Sequence, residues 1–378
     1  MRLVKKPELS SELAGPYSVA ALEVGRRAGL HRVGIAPAIK MDRAHDALVS
    51  RNRDGLSDTM QFTFRNPERS TNPAASLTDA RSLVVGAFSY ASPATPVSEP
   101  QGARVARYAW SDYYEQLRHG LQAVADFLRG DGWRAIVFAD DNSLVDRESA
   151  YLAGLGWYGK NANLMISGAG SNFVLGSVIT DAPLVGNERL ANDGCGECRR
   201  CLDSCPTSAI VEPGVVDARK CLAWLLQKPG VFDRNYRQAL GDRIYGCDDC
   251  QESCPPTIRF RSRQEISADI QPWISVLFLL TSDDDALLSV VGSWYIANRN
   301  PDWVRRNALV VLGNIGDPRN SQICDVVKHY LEHPDPMLRA HAVWAAARLN
   351  LRHLIPYHDT APLVIDELSH LPEPRVRV

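Results

Sequence analysis

Between Tyr113 and Gly132 the chain places apolar side chains at Leu117, Leu121, Val124 and Leu128, three or four positions apart, and then stops on Gly130 and Gly132. That spacing predicts an amphipathic helix with a glycine terminator. "SVAALEVGRRAGL" and "SLVDRESAYLAGLG" carry the same helical pattern. Shorter runs, "HRVGIAPA", "RSLVVGAFSY", "WRAIVFA", "NANLMIS" and "NFVLGSVIT", are too short for helices and rich in β-branched residues, so they predict strands. Helices and strands alternate as far as residue 185, which predicts an α/β domain. The Pro-rich stretch "ASPATPVSEPQG" within it predicts a surface loop.

From residue 186 to about 262 neither period persists, and ligands rather than an apolar core must order that segment. After it the helical period returns. "NPDWVRRNALVVLGNIGDP" and "DPMLRAHAVWAAARLN" resemble each other at a constant offset: Val304 matches Leu338, Arg305 matches Arg339, Ala308 matches Ala342, and Leu309 matches Val343. Such self-similarity predicts HEAT-type helical repeats, and two repeats alone must lean on the rest of the chain. The expected fold class is therefore α+β multidomain: an α/β domain over 1–185, a cysteine-rich segment over 186–262, and α-helical HEAT-like repeats over 263–378.

Composition changes this picture little. With 45% hydrophobic and 23% charged residues the chain reads as an ordinary globular protein. A net charge of −2 excludes a global polycation, so any nucleic-acid partner needs a local basic face. "MRLVKKPELSSELAG" lacks the apolar run of a signal peptide. "PWISVLFLL" is too short to span a bilayer. The Arg26-Arg27 pair lies inside a helical pattern and does not read as an export signal. A cytoplasmic location with no membrane partner is expected.

The cysteines change it most. There are nine, and eight lie between Cys195 and Cys254. In a cytoplasmic chain this clustering points to a metal or redox centre rather than disulfides. Cys195, Cys198, Cys201 and Cys205, followed by Pro206, have the spacing of a bacterial ferredoxin run for a [4Fe–4S] cluster. Cys247, Cys250 and Cys254, followed by Pro255, form a second run that lacks its first cysteine, because Ile244 stands there; Cys221 brings the total to eight. In two-cluster ferredoxins the fourth cysteine of a run serves the other cluster. The expected sets are therefore Cys195, Cys198, Cys201 and Cys254 for one cluster, and Cys205, Cys221, Cys247 and Cys250 for the other. Cys324 is left over, as a small residue in a helical segment.

Two further motifs invite chemistry. "GLGWYGKN" contains Gly154, Gly156 and Gly159 in the spacing of a dinucleotide loop, but that fingerprint leaves a strand and opens a helix. Here a helical stretch precedes it and a strand-like one follows. The glycines are better read as letting backbone approach some other group closely. Asp140 and Asp141 stand where the "WRAIVFA" strand ends, the place where open α/β sheets bind ligands. A carboxylate there could act as a general acid. Its ordinary pKa of about 3.9 would need to rise by about three units, roughly 4 kcal/mol, in an enclosed site. Asp141, Asn142 and Ser143 also suit a helix cap.

Taken in order, "VARYAWSDYYEQLRHGL", "ADDNSLVDRESAYLAGLGWYGKNANLMI", "GSNFVLGSVITD", the eight cysteines and "VVGSWYIANRNPDWVRRNALVVLGN" resemble the epoxyqueuosine reductase family over nearly the whole chain. The resemblance implies a cytoplasmic oxidoreductase that uses cobalamin and two [4Fe–4S] clusters. Its reaction is the last step of queuosine synthesis, epoxyqueuosine to queuosine at the wobble position of tRNA. It implies a cobalamin-binding N-terminal domain, a ferredoxin-like middle and helical repeats that help hold tRNA. Asp140 matches the family's proton donor, seven residues before Arg147. Arg69, Asn161, Leu164, Leu175 and Ala223 match positions at the cobalamin. Some members carry a cysteine near the start of the "RYA" block, where this chain has Val105 and Ala106; Ala106 is counted with the cofactor contacts, without a thiol. Asp112 and Tyr113 match an Asp-Tyr pair, but the family's following His is Tyr114 here. His31 lacks the Asp of a cobalamin-ligand motif, since Gly29 stands there, and reads as structural. For tRNA the candidates are Gln227, Lys228, Arg299, Arg305 and Arg306. A low-potential electron donor of the flavodoxin or ferredoxin type and a monomeric state are expected. Two other readings remain open at this point: a cobalamin-dependent reductive dehalogenase, and a non-enzymatic ferredoxin-like carrier with a docking scaffold.

Overall fold

The computed structural model describes residues 10–93, 101–186, 189–265 and 269–375. The N-terminal reading and most of the Pro-rich loop fall on residues 1–9 and 94–100, outside that set. The chain divides into two compact units: Met1–Ala94, Asp112–Arg219 and Asp249–Ser267 in the first, and Thr95–Ser111, Lys220–Asp248 and Ala268–Val378 in the second. These units do not follow the linear division at 185 and 262. The cysteine-rich segment is shared between them.

The first unit is built on a four-stranded sheet in the order Arg32–Pro37, Ser82–Ser89, Phe173–Thr180, Ala135–Ala139. Every pairing in it is antiparallel. The expectation of a ligand site at the carboxyl ends of parallel strands therefore loses its basis. Asp140 nonetheless sits immediately beyond the end of the Ala135–Ala139 strand. All eight residues of Phe173–Thr180 are buried, as a central strand covered on both faces requires. Gly86 and Gly176 face each other across two central strands. A Cβ on either would come within 3.0 Å of Leu121, so their bareness lets the Tyr113–Gly130 helix settle on the sheet. That helix is N-capped by Asp112, whose carboxylate accepts the Glu115 amide at 2.9 Å. On the opposite side an apolar cluster gathers Leu83, Val85, Leu144, Ala150, Leu164, Ile166, Leu175 and Ile179.

The second unit has a small sheet in the order Arg243–Tyr245, Gly102–Val105, Trp273–Ser275, followed by helices. Helices Asp302–Ile315 and Pro336–Arg348 carry the matching sequences and pack on each other. Gly313 permits the approach, since a Cβ there would meet the Trp344 ring at 2.6 Å. The matched positions behave alike: Val304, Leu338, Ala308, Ala342, Leu309 and Val343 are buried. Arg305 pairs with Asp284 and Asp302, and Arg339 with Asp359.

Candidate functional site

Asp140 has a φ of 57°, in the left-handed region that Asp enters more readily than most residues. The turn beyond it is tied down at several points. Asp141 accepts the Ser143 amide at 2.7 Å. Ser70 donates its hydroxyl to the Asn142 carbonyl at 2.6 Å, and the Val145 amide donates to the Ser70 carbonyl at 3.0 Å. Arg69, on the short helix Pro67–Ser70, donates to the Ser143 hydroxyl at 2.8 Å. The strained residue is thus held by fixed neighbours on both sides, as functional strain requires.

Protein crowds the Asp140 carboxyl although the side chain reaches solvent. Burial raises its pKa; Arg118 opposes this, while Asp112 and Asp141 add to it. Asp146 opens the helix Asp146–Leu152, and its Oδ1 is buried with no hydrogen-bond partner. Burial holds this carboxyl well above the usual range, reinforced by Asp140 and Asp141 and opposed by Arg147. Tyr114 looks onto the same charges, and burial followed by Asp140 and Asp146 keeps its phenol protonated. The site thus combines acids that remain neutral at pH values where free carboxyls ionise. Beside it, Glu148 is closed off by Arg43 at 2.6 Å and by the Tyr158 hydroxyl at 2.9 Å, so it stabilises rather than reacts.

The residues expected at cobalamin fall in both units. In the first, Leu164 and Leu175 belong to the apolar cluster that also holds Leu144, four residues past Asp140. Ser177 is two residues along the same strand from Leu175, and its buried hydroxyl has no partner. Asn161 is buried, accepts the Asn163 amide and points its amide nitrogen at the Cys250 carbonyl, 3.5 Å away. Apolar walls, unpartnered polar atoms and the Asp140 acid suit a large, largely apolar cofactor with a polar rim. In the second unit Ala106 is buried and donates its amide to Tyr245 O at 2.9 Å, and Ala223 lies half-buried on the helix Leu222–Gln227. His31 accepts the Ser89 amide at its Nδ1, a contact within the sheet edge.

The first cysteine set lies wholly in the first unit. Cys195, Cys198, Cys201 and Cys254 line a cavity of about 180 Å³, with Trp157, Lys160, Asn161 and Met165 as further walls. Burial pushes the Cys201 and Cys254 thiols up; hydrogen bonds from Thr257 oppose this at Cys254, and neighbouring cysteines push both thiols further up. Mutual repulsion of this kind means that the sulfurs share one space, which bound iron would stabilise as thiolates. Among the described residues no three His, Cys, Asp or Glu side chains are grouped to hold one metal ion. The four sulfurs surround a volume instead, which suits a polynuclear cluster. "GLGWYGKN" serves this cavity. Trp157 donates to Cys195 Sγ at 3.5 Å, Lys160 donates to the Gly196 carbonyl at 2.5 Å, and the segment forms a strand-turn-strand hairpin, not a phosphate loop.

Of the second set, Cys205 and Cys250 belong to the first unit, and Cys221 and Cys247 to the second. Cys205 Sγ accepts the Ala209 amide at 3.2 Å. Cys324 lies outside both sets, its thiol on the Pro318 carbonyl.

The basic candidates in the second unit require correction. Arg306 is fully buried. Its guanidinium donates to the carbonyls of Lys228, Gly230, Leu225 and Leu226 and to Asn307 Oδ1, closing the end of the Leu222–Gln227 helix. Burial lowers its pKa to about 9. It cannot reach a phosphate. Arg305 is occupied by Asp284 at 2.6 Å and Asp302 at 3.0 Å, with its side chain 11% exposed. Arg299 is exposed and bonds only backbone carbonyls, of Gly292 and Trp294. Gln227 lies 3.4 Å from the Tyr108 and Tyr245 hydroxyls, and Lys228 is half-buried beside it.

Several residues that build the site carried no local signal in sequence. Gln251, between two cysteines, accepts from Tyr90, Ser171 and Asn172 at 2.9 to 3.1 Å and so anchors the second cysteine run on the first unit. Ser70 and Ser143 look like ordinary loop serines. Asp146 stands next to Arg147 in a helical pattern, with nothing local to mark it as buried.

A family model described as epoxyqueuosine reductase QueG, DUF1730, matches residues 70–141, which end just past Asp140. A 4Fe-4S double cluster binding domain model matches 194–257, and a HEAT repeats model matches 294–377. The epoxyqueuosine reductase of Bacillus anthracis is 30% identical over 336 residues, 85% of this chain and 86% of that protein. A structure of the epoxyqueuosine reductase from Bacillus subtilis, with an aspartate-bearing catalytic loop swung out of its active site, superposes with a TM-score of 0.83. It is 25% identical and covers 94% of this chain and 99% of that one. A crystal structure of an epoxyqueuosine reductase with an epoxyqueuosine-modified tRNA-Tyr stem loop gives a TM-score of 0.82 at 25% identity, covering 94% and 97%.

Proposed function

This chain belongs to the epoxyqueuosine reductase family, and from that premise we infer that it reduces epoxyqueuosine to queuosine in tRNA. Family membership removes the dehalogenase and bare electron-carrier readings. The observation that carries the inference in the molecule itself is the pairing of acids with raised pKa values, Asp140 and Asp146, with a four-thiol cavity in the same unit.

When bound, cobalamin and the two [4Fe–4S] clusters supply the two electrons of the deoxygenation. The chain's own residues do the rest. Cys195, Cys198, Cys201 and Cys254 would hold one cluster, and Trp157 and Lys160 fix the loop that begins with Cys195. Cys205, Cys221, Cys247 and Cys250 would hold the other. Leu164, Leu175 and Asn161 would hold the cobalamin, and Arg69 steadies the loop that carries Asp140. Asp140, whose pKa is raised by the protein crowded around it, delivers a proton to the epoxide oxygen as a carbon–oxygen bond opens.

On the tRNA, Arg299 and Lys228 remain candidates for phosphate contacts, and Gln227 for a polar one. The electron donor would be a low-potential flavodoxin- or ferredoxin-type protein, and the working form a cytoplasmic monomer. Among the described residues no helix is long and apolar enough to cross a membrane.

The test is direct. The protein is purified anaerobically, supplied with cobalamin and a low-potential reductant, and given tRNA containing epoxyqueuosine. Nucleoside mass spectrometry should show queuosine replacing epoxyqueuosine. Absence of queuosine despite intact clusters and bound cobalamin would overturn the inference.

A further inference from the structure

Opening an epoxide to an alkene and water consumes two electrons and two protons. Both carbon–oxygen bonds break, a carbon–carbon π bond forms, and the oxygen leaves carrying two hydrogens. The electrons are external to the site, and Asp140 accounts for one proton. The second needs a donor as well.

The structure holds a second acid close by, and this one has a buried carboxyl oxygen. Asp146 stands six residues after Asp140, at the start of the helix Asp146–Leu152. The intervening turn is fixed by Ser70, Asp141 and Arg69, so the separation of the two carboxyls is set by the fold. Its Oδ1 is buried and has no hydrogen-bond partner. Nor does any described residue hydrogen-bond the Asp140 carboxyl or the Tyr114 phenol. A structural buried carboxyl normally finds donors; Glu148, two residues further along the same helix, has Arg43 and Tyr158. Asp146 lacks such partners at the place where the reaction needs an acid.

The charged and titratable groups around Asp146 are few. Asp140 and Asp141 come from the loop, Arg147 from its own helix, and Tyr114 from the Tyr113–Gly130 helix. The two aspartates disfavour its ionisation and Arg147 favours it. Burial and the two aspartates together outweigh Arg147, so the fold favours the protonated form. Once Asp140 has given up a proton, its new negative charge would sit beside a neutral acid. Two interacting carboxyls of this kind share protons rather than both ionising.

We propose that Asp146 is the proton reservoir of the reaction, returning a proton to Asp140 after the first carbon–oxygen bond has opened so that Asp140 can protonate the departing hydroxyl as water. The balance closes. The first proton passes from Asp140 to the oxygen. The second passes from Asp146 to Asp140 and on to the same oxygen, and Asp146 is refilled from solvent after product leaves. Asp146 acts through Asp140 and is therefore a positioning and supply residue rather than one that touches substrate.

The proposal rests on the inferred reductase activity, and its test separates the two. Holoenzyme with both clusters and cobalamin is compared as wild type, Asp146→Asn and Asp146→Glu, using an epoxyqueuosine-containing stem loop in single-turnover experiments. Asp146→Asn should slow queuosine formation on the order of a hundredfold while KM for the stem loop stays unchanged. Its residual rate should rise with the concentration of a small carboxylic acid buffer, a dependence that wild type lacks. Asp146→Glu should recover most of the rate. Infrared spectra at neutral pH should show a protonated-carboxyl band in wild type that Asp146→Asn loses. Full rate in Asp146→Asn, or a slow rate with no buffer response, would overturn the proposal, as would an infrared spectrum unchanged by the substitution. A wild type that makes no queuosine would count against the reductase reading, and the infrared arm would still decide whether Asp146 holds a proton.

Discussion

Arg69 donates a 2.8 Å hydrogen bond to the hydroxyl of Ser143, three residues beyond Asp140, and Ser70 next to it holds the Asn142 carbonyl. One short helix therefore grips the turn that carries the acid. Arg69 is exposed and Ser143 is buried, so the bond steadies the loop without contributing to the core. Arg69→Ala should lower the rate of queuosine formation about fivefold, the equivalent of one hydrogen bond of ~1 kcal/mol. Its melting temperature should barely move. A large fall in melting temperature would show that Arg69 is structural instead.

Asp140→Asn keeps the shape of the side chain and removes the transferable proton. Turnover should fall by about 10²- to 10⁴-fold, the range for loss of a general acid. Iron–sulfur absorbance and binding of the modified stem loop should be retained. Unchanged turnover would remove the acid assignment.

Much of this was legible in sequence because the evidence was local. Helical period at Leu117, Leu121, Val124 and Leu128 produced the buried face of the Tyr113–Gly130 helix. Cysteine spacing predicted the set that lines the first cavity. Strand pairing was not legible, because the order of the four strands depends on contacts far apart in the chain. Arg306 misled for a different reason. A charge reads as surface unless its neighbours are considered, and residues Arg306 to Gly313 are all buried, so that stretch of helix has no wet face. The carbonyls that Arg306 satisfies lie about eighty residues upstream, beyond any local pattern.

That burial separates two arginines that sequence treats alike. Arg306→Met would remove the guanidinium donor from the carbonyls of Leu225, Lys228 and Gly230, while Leu226 keeps the Asn307 amide, at about 1–3 kcal/mol for each buried group left unpaired. Unfolding measured by denaturant should show a loss of at least ~3 kcal/mol. Arg299→Ala should leave stability intact and reduce the salt dependence of stem-loop binding by about one phosphate contact. An unchanged salt slope would remove Arg299 from the tRNA surface.

Gln251→Leu is nearly isosteric but removes the acceptor shared by Tyr90, Ser171 and Asn172. Three buried donors lose a partner at once, and Cys250 and Cys254 lie on either side of the change. The variant should bind less iron after reconstitution, read as a lower ratio of iron–sulfur to protein absorbance, before any effect on tRNA binding. Normal iron content would show that the cysteine run is held without this anchor.

His341 is fully buried between two backbone partners: its Nε2 accepts the Phe232 amide at 3.2 Å, and its Nδ1 donates to the Met337 carbonyl at 2.7 Å. That pattern requires the neutral ring. Burial, with Arg237 and Arg306 nearby, holds its pKa well below the usual histidine range. The sign follows from linkage. The unfolded chain takes up a proton near pH 6.5 while the folded one does not, so the contribution to stability is complete above that pH and is lost as pH falls below it. The loss should approach about 1.4 kcal/mol per pH unit between pH 6 and the folded pKa. Thermal unfolding of wild type between pH 7.5 and 5.5 should therefore show a falling melting temperature. His341→Gln cannot charge, so its curve should be flatter over the same range, starting from a lower value. Parallel curves for the two proteins would mean that the acid sensitivity arises elsewhere in the chain.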